Sequence, residues 1–420
     1  MRLTIHRGSH EIGGTCIELQ TKKARILLDF GLPLVDLNQE PLKSIKGKTR
    51  PQLIKNKILP NIQGLYDHPG IDAILISHPH QDHYGLLSYI HPKIPIFLSA
   101  GCNILIKASH FFSQTECDLK NINLIKKSFY IKDIKVTPYL VDHSGFAALA
   151  FLIEAEGKKL FYSGDFRGHG RKSILFDNFV NNPPKDIDYL LLEGSMLGRP
   201  QSEYETEKDV EEKMVQLFKE KHLFFVSCSS QDIDRIVSIY RACLRTGRIL
   251  VLDPYTAYIL DQLKEISPHI PQFDWGKNIK IFFATNSYTN KLAETKILFK
   301  YKSAKITFQE MLQERNKLVI KDNYVTKSVF AHKKEISGAK LIYSLWEGYL
   351  PDIKPFWDRY KIPLIQVHVS GHAYIKELQT FVTAVKPKQI IPIHTFKPEE
   401  YEKHFGKNIL RLKDGEVREI

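Results

Sequence analysis

The run Ser77-His78-Pro79-His80-Gln81-Asp82-His83-Tyr84-Gly85 crowds the imidazoles of His78, His80 and His83 and the carboxylate of Asp82 into one short stretch. Imidazole nitrogen and carboxylate oxygen are the donors taken by zinc and its first-row neighbours, so this spacing marks a candidate metal site rather than a polar loop. The run follows Ile71-Asp72-Ala73-Ile74-Leu75-Ile76, which has the length and apolar content of a buried strand. A strand-to-loop junction aims alternate side chains at one point, so His78 and His80 can address one ion while Asp82 and His83 address a second. The spacing allows a two-ion site and leaves the substrate open.

The elements that must position these donors are short. A β-meander is expected at the start, with strands at the N-terminus, at Cys16-Ile17-Glu18-Leu19 and at Arg25-Ile26-Leu27-Leu28-Asp29, and a glycine turn at Glu11-Ile12-Gly13-Gly14-Thr15. Residues 36 to 60 are polar and basic without a clean period and read as a surface loop. A helix is expected to open at Gly85. Further strands read at Pro138 to Val141, Ala150 to Glu154, Lys159 to Tyr162 and Asp188 to Glu193, and they deliver His143, Asp165 and Glu193.

From residue 203 the pattern changes. An acidic helix start at Glu203 to Glu212 precedes strand-like Leu223 to Ser227, Ile249 to Leu252 and Ile279 to Phe283, with helices between them, which implies βαβ units and a parallel sheet. A later helix over Tyr374 to Val385 and a strand Ile390 to Ile393 deliver His394, and Lys413-Asp414-Gly415-Glu416 suggests a terminal hairpin.

At 420 residues the chain exceeds one domain of ordinary size, about 100 to 150 residues, so two domains or one domain with a large insertion are expected. No apolar run reaches the length needed to span a bilayer, and Met1-Arg2-Leu3-Thr4-Ile5 opens without a secretory pattern, so a cytoplasmic protein with no membrane partner is expected. Cys16, Cys102, Cys117, Cys228 and Cys243 form no Cys-x-x-Cys pair, which argues against a disulfide framework and a thiolate zinc site. The net charge of +13 favours a polyanionic partner.

The segment His78-x-His80-x-Asp82-His83, with Asp142-His143-Ser144 and Ser163-Gly164-Asp165-Phe166-Arg167 following in order, resembles the metal motifs of the metallo-β-lactamase superfamily. The resemblance implies an αββα sandwich, His143 as a further ligand and Asp165 as a carboxylate bridging two ions. Lactamases of this fold commonly carry cysteine at the place of Asp165, and flavodiiron proteins carry a glutamate between the early ligands. A hydrolytic two-metal site is therefore the expectation.

The inserted α/β pattern, Glu193, Val367-His368-Val369-Ser370-Gly371-His372-Ala373 and Ile391-Pro392-Ile393-His394 resemble the β-CASP branch of that superfamily, and its ribonuclease J-like nucleases in particular. The resemblance implies a metallo-β-lactamase domain at residues 1–198, an inserted β-CASP domain at 199–358 and completion of the first domain at 359–420. It implies that His78, His80 and His143 hold one ion, that Asp82, His83 and His394 hold the other, and that Asp165 bridges them. The ions are expected to be Zn2+, with Mn2+ as the other candidate. Asp82, Asp165, Glu193 and His372 form the implied catalytic set, with His372 beside the scissile phosphate as proton donor or transition-state stabiliser, supported by Glu193.

Ser229, Ser230, Arg235, His368, Ser370 and Gly371 are the implied phosphate contacts. Asp234 stands where the branch places a histidine near a substrate 5′-phosphate, and a carboxylate there would repel phosphate. The branch usually carries a further C-terminal domain, whereas this chain stops soon after His394. The expected partner is single-stranded nucleic acid, RNA before DNA, and the reading admits a homodimer. A DNA nuclease and a catalytically silent RNA-binding scaffold are the competing readings; the complete ligand set argues against the scaffold.

Overall fold

A computed structural model describes residues 1–420 other than Gln39, residues 114–118, Gln201 and residues 285–286. Strand periodicity builds its core. In the strand Leu149–Ala155 the side chains of Leu149, Phe151 and Ile153 enter one apolar cluster, while Ala150 and Leu152 enter another on the opposite face. Successive strand residues point to opposite faces, so a strand apolar at every position is covered on both sides.

Two sheets sandwich the first of these clusters. One sheet contains Arg2–Arg7, Cys16–Gln20, Arg25–Leu28, Ala73–Leu75, Ile96–Leu98 and Ile122–Leu124; the other contains Phe129–Ile131, Ile134–Leu140, Leu149–Ala155, Lys158–Tyr162, Tyr189–Glu193 and Gln389–Ile393. Leu3, Ile17, Leu28 and Leu75 of the first meet Val136, Phe151, Leu160 and Leu191 of the second. Helix Ala100–Ser113 packs on the outer face of the first sheet through Cys102 and Ile106. Helices Ser173–Asn181 and Ile375–Val385 cover the outer face of the second through Phe179, Leu378 and Phe381. The layers run helix, sheet, sheet, helix, the αββα sandwich expected.

A third sheet is wholly parallel in its pairings and takes its strands from Phe224–Ser227 through Leu364–Gln366. Helices Glu207–Phe218, Ile233–Thr246 and Pro254–Leu263 cover one face, and Tyr324–His332 and Leu350–Arg359 cover the other. This is the inserted α/β unit. Its last strand lies beyond residue 358, because Leu364 to Gln366 pair in register with Leu341 to Tyr343 and complete the sheet edge. Its middle strand, Leu318–Lys321, which the sequence reading passes over, lies between Ile249–Leu252 and Phe224–Ser227.

Three local expectations differ from the structure. The helix expected to open at Gly85 is instead a short helix Gln81–Tyr84 that ends at Gly85, followed by a single 3-10 turn at Leu87–Tyr89; a Cβ at Gly85 would meet the Gln81 carbonyl oxygen at 2.5 Å. The basic loop contains a short helix, Arg50–Lys55, fixed by a reciprocal cap between Thr49 and Gln52 and by buried Leu53. The terminal strand Val417–Glu419 pairs antiparallel with Arg2 to Thr4, so the tail closes the first sheet instead of folding into a hairpin.

Parallel pairing gathers the polar strand ends. Lys158–Tyr162, Tyr189–Glu193 and Gln389–Ile393 are mutually parallel, so their C-terminal ends fall at one edge of the sheet. Asp165, Glu193 and His394 lie at or just past those ends.

Candidate metal centre

His78, His80 and His143 bring ligand atoms within 4.8 Å of one another, and so do His78, His83 and Asp165; Asp82, His83 and His394; and Asp165, Glu193 and His372. The four groups share members and form one continuous cluster. His78, His83, His143 and His394 are almost completely buried.

Proton bookkeeping tests whether these donors fit a cation. The His143 Nδ1–H donates to the Gly371 carbonyl at 2.6 Å, which turns a bare Nε2 inward. The Ser77 hydroxyl donates to Asp29 at 2.7 Å and accepts from His78 Nδ1 at 3.0 Å, so His78 Nε2 is bare as well. Both bare nitrogens face His80 Nδ1, at 3.1 and 3.2 Å. Two lone pairs thus meet a nitrogen that carries at most one proton, an arrangement that a cation among the three rings satisfies.

The second group has the same defect. His83 gives its Nδ1 proton to Asp29 at 2.7 Å and points Nε2 at the Asp165 carboxylate 3.0 Å away. His394 Nε2 lies 3.5 Å from Asp165 and 3.7 Å from Asp82, and its Nδ1 is 2.9 Å from the Thr15 hydroxyl. His83 Nε2, His394 Nε2 and Asp165 Oδ2 are buried without a hydrogen-bond partner. Buried polar atoms left unpaired are costly, and three of them converging have the form of an ion site. The donor set is nitrogen and carboxylate throughout, which suits zinc or manganese.

The electrostatics divide the cluster. Burial, then the neighbouring imidazoles, pushes His78 and His143 well below the ordinary histidine value, and burial brings His80 down to about 4. These rings are neutral and free to ligate. Burial opposes charge at His83 too, but the Asp165, Asp29 and Asp82 carboxylates override it and raise its pKa. A proton held there takes the place that a metal ion would fill.

His372, like His80, keeps part of its surface open. Its Nδ1 is 3.3 Å from Glu193 and 3.7 Å from Asp165. Burial opposes its charge, yet Glu193 and then Asp165 raise its pKa. Glu193 is itself fixed by the backbone N–H groups of Phe166 at 3.3 Å and Ser195 at 3.1 Å. The pair is built to hold a proton at a defined atom beside the donor cluster.

The expected phosphate contacts fare differently. Arg235 is fully buried, forms a two-pronged ion pair with Glu207 at 2.8 and 3.0 Å, and donates to the Ser344 carbonyl at 3.1 Å. It has no surface left for a phosphate, which corrects its assignment: a guanidinium buried this deeply is held by a carboxylate, and Glu207 is that carboxylate. His368 Nδ1 lies 3.2 Å from Arg235, and burial followed by the Arg235 charge lowers its pKa to about 3, so it is a neutral partner of that ion pair. Ser230 is buried and bonded to the Thr256 hydroxyl at 2.8 Å, leaving Ser229 exposed. Ser370 and Gly371 form a turn whose carbonyls accept from Arg167, His169 and His143.

Asp234 does not project a free negative charge. It binds Arg167 at 2.7 Å and Lys172 at 2.7 Å, and Arg167 also contacts Asp142 at 3.4 Å, next to His143. Sequence reasoning passes over this buried tie between the inserted unit and the donor cluster, and it passes over Asp29. The one available signal for Asp29 is its place at the end of an apolar strand, the context that marks Asp165.

Comparison with known proteins agrees with this geometry. The beta-lactamase superfamily domain matches residues 41–218, and the Zn-dependent metallo-hydrolase RNA specificity domain matches residues 361–402. The chain is 23% identical to an RNase J-like protein of Methanocaldococcus jannaschii over 93% of this chain and 92% of that one. It is also 23% identical to ribonuclease J of Helicobacter pylori over its whole length, which spans 61% of that enzyme. A protein of unknown function from Enterococcus faecalis has the same fold, with a TM-score of 0.80, 21% identity and 99% of both chains covered.

The chain belongs to the metallo-β-lactamase superfamily, in its β-CASP, ribonuclease J-like branch. It is a metal-dependent hydrolase. Among the described residues no helix is long and apolar enough to cross a membrane.

Proposed function

We propose that the protein is a ribonuclease that hydrolyses phosphodiester bonds of single-stranded RNA with two divalent ions, zinc or manganese. The reading is carried by the convergence of seven donor side chains in which buried His83 Nε2, His394 Nε2 and Asp165 Oδ2 have no hydrogen-bond partner. His78, His80 and His143 would hold one ion, Asp82, His83 and His394 the other, and Asp165 would bridge them. The RNA specificity domain and the ribonuclease J relatives support RNA as the substrate, and the +13 charge suits a polyanion. Segments 1–198 and 367–420 would supply the metal floor, with the inserted unit, which runs on to its edge strand Leu364–Gln366, above it.

Bound ions of this class lower the pKa of water and offset negative charge on the phosphate. The chain's own residues do the rest. Asp29, Gly371 and Ser77 fix the rings of His83, His143 and His78 so that their bare nitrogens face inward. Glu193 keeps the His372 imidazolium charged and oriented, and His372 gives its proton to the leaving 3′-oxygen.

Cleavage of matched single-stranded RNA and DNA oligomers by the metal-loaded protein, beside Asp82→Ala, tests this reading. RNA cut by the wild type and spared by the variant is the expected result. Cleavage of DNA alone would make the protein a DNA nuclease, and cleavage of neither with metal bound would overturn the assignment.

A further inference from the structure

We infer that Trp346, with Tyr349 and Arg199, forms a stacking platform for a nucleobase of the strand threaded to the metal centre. The inference rests on the proposed nuclease function and names the residues that would grip the bases.

Trp346 and Tyr349 keep 46% and 50% of their surface exposed and lie side by side, so that two aromatic rings share one exposed spot. Their rings lie edge to face with centroids 5.5 Å apart. The indole is nevertheless held from several sides. A Cβ added to Gly348 would come within 2.3 to 2.6 Å of its six-membered ring, so the ring rests directly on the glycine backbone. The Arg199 guanidinium lies 5.4 Å from the ring centroid. Below the ring, the buried Tyr343 hydroxyl donates to the Trp346 carbonyl at 2.6 Å. The indole is preorganised against Gly348 with the Arg199 guanidinium over the ring, and a base would stack there by sandwiching with that guanidinium or displacing it.

Its position ties it to the site. Arg199 follows Glu193 by two tight turns, in which Leu197 N–H donates to Gly194 and Arg199 N–H donates to Met196. Met196 touches the Ser370 hydroxyl at 3.2 Å, and that hydroxyl accepts from the His372 backbone. Arg199 is thereby anchored between the Glu193–His372 pair and the indole.

Stacking reads the π-face that every base has and that a sugar-phosphate chain lacks, so the test compares the two. Binding of a labelled single-stranded RNA decamer and of its fully abasic counterpart is measured by anisotropy in the full chain carrying Asp82→Ala, which prevents turnover. Adding Trp346→Ala is expected to weaken the base-bearing decamer by about tenfold while leaving the abasic one unchanged, and Trp346→Phe is expected to retain most of the affinity. Equal loss for both decamers, or loss for neither, would overturn the platform while leaving the nuclease reading intact. If the Asp82→Ala protein bound neither decamer, the platform would fall, while the nuclease reading would stand or fall on cleavage by the wild type. Melting of the Trp346→Ala protein within a few degrees of its parent excludes misfolding as the cause, and Gly348→Ala, which tilts the indole without removing it, should reproduce the base-specific loss.

Discussion

Asp29 accepts the Nδ1 proton of His83 at 2.7 Å, and that single bond decides which nitrogen of His83 faces Asp165. Asp29 also accepts from the Ser77 hydroxyl and from Tyr162, so it orients one donor directly and a second, His78, through Ser77. Asp29→Asn keeps the shape and removes the charge. Its amide can offer His83 an N–H where an acceptor is needed, favouring the wrong tautomer. Metal affinity is expected to fall by roughly 10- to 100-fold, the usual cost of losing an outer partner of a histidine ligand. Metal titration by calorimetry checks this, and unchanged affinity would show that the ring is held by packing alone.

Gly31 lies against the metal-binding turn without room for a side chain. A Cβ there would fall 1.6 Å from the Asp82 carbonyl oxygen and 2.2 Å from its carbon, so backbone must move. Gly31→Ala is expected to cost about 1–3 kcal/mol or more of stability and to lower metal content, because the displaced turn carries Asp82 and His83. Denaturant unfolding with metal analysis reads both; a stable, fully loaded variant would refute the account.

The donor set is legible in the sequence because His78, His80, Asp82 and His83 are local, and a few residues of spacing are enough to show convergence. His143, Asp165, Glu193 and His394 each follow an apolar run, but such strand-end residues are commonly structural, and it is the resemblance of their contexts to the superfamily's motifs that picks them out. What is not legible is pairing at a distance. Nothing near Asp29 says that it will meet His83, and Arg235 reads as a phosphate contact because an arginine's type does not reveal whether Glu207 buries it. Asp234 reads as a free charge for the same reason. The tail strand is hidden because its partner is the N-terminal strand at the opposite end of the chain.

Arg167 holds the carboxylates of Asp142 and Asp234 together inside the protein. Arg167→Ala would leave both buried with only Lys172 to offset them. A loss of about 3–5 kcal/mol is expected, the scale for breaking a buried ion pair from one side. Arg167→Ala with Asp234→Asn should recover part of that loss, since one orphaned charge is gone. Simple additivity of the two substitutions in a double-mutant cycle would show that the groups do not interact.

Acid stability should fail in two stages, and His368 contributes to the first beside the buried neutral rings of His78, His80 and His143. Burial, followed by the nearby Arg235 charge, lowers the His368 pKa to about 3, with Glu207 pulling the other way and Arg167 adding to the lowering. Its ordinary value is 6.5, so between the two the unfolded chain binds a proton that the folded chain refuses. The stability tied to His368 is complete above about pH 6.5 and declines as pH falls toward 3, at no more than about 1.4 kcal/mol per pH unit. Glu207 sets the second stage. Burial would raise its pKa, but Arg235 and then Arg167 bring it from 4.5 down to about 2. Its contribution is present above about pH 4.5 and is lost as pH falls through 2. His368→Gln should lower the slope between pH 6.5 and 4.5 by at most about 1.4 kcal/mol per pH unit and leave the fall below it, as read by urea unfolding across pH. Identical curves for wild type and variant would show that His368 titrates alike in both states.

His372 and Glu193 should separate chemistry from metal binding. Neither is needed to complete the inner donor groups of His78, His80 and His143 or of Asp82, His83 and His394. His372→Ala is expected to keep its metal and lose about 10²- to 10⁴-fold in cleavage rate, the range for removing a proton-transfer group. Glu193→Gln should act through His372, because the amide cannot stabilise the imidazolium at 3.3 Å as the carboxylate does. A substrate with a sulfur leaving group at the 3′ position needs no proton donor. If His372 supplies that proton, this substrate should be cut nearly as fast by His372→Ala as by the wild type. Equal losses on oxygen and sulfur leaving groups would instead assign His372 to charge stabilisation on the phosphate.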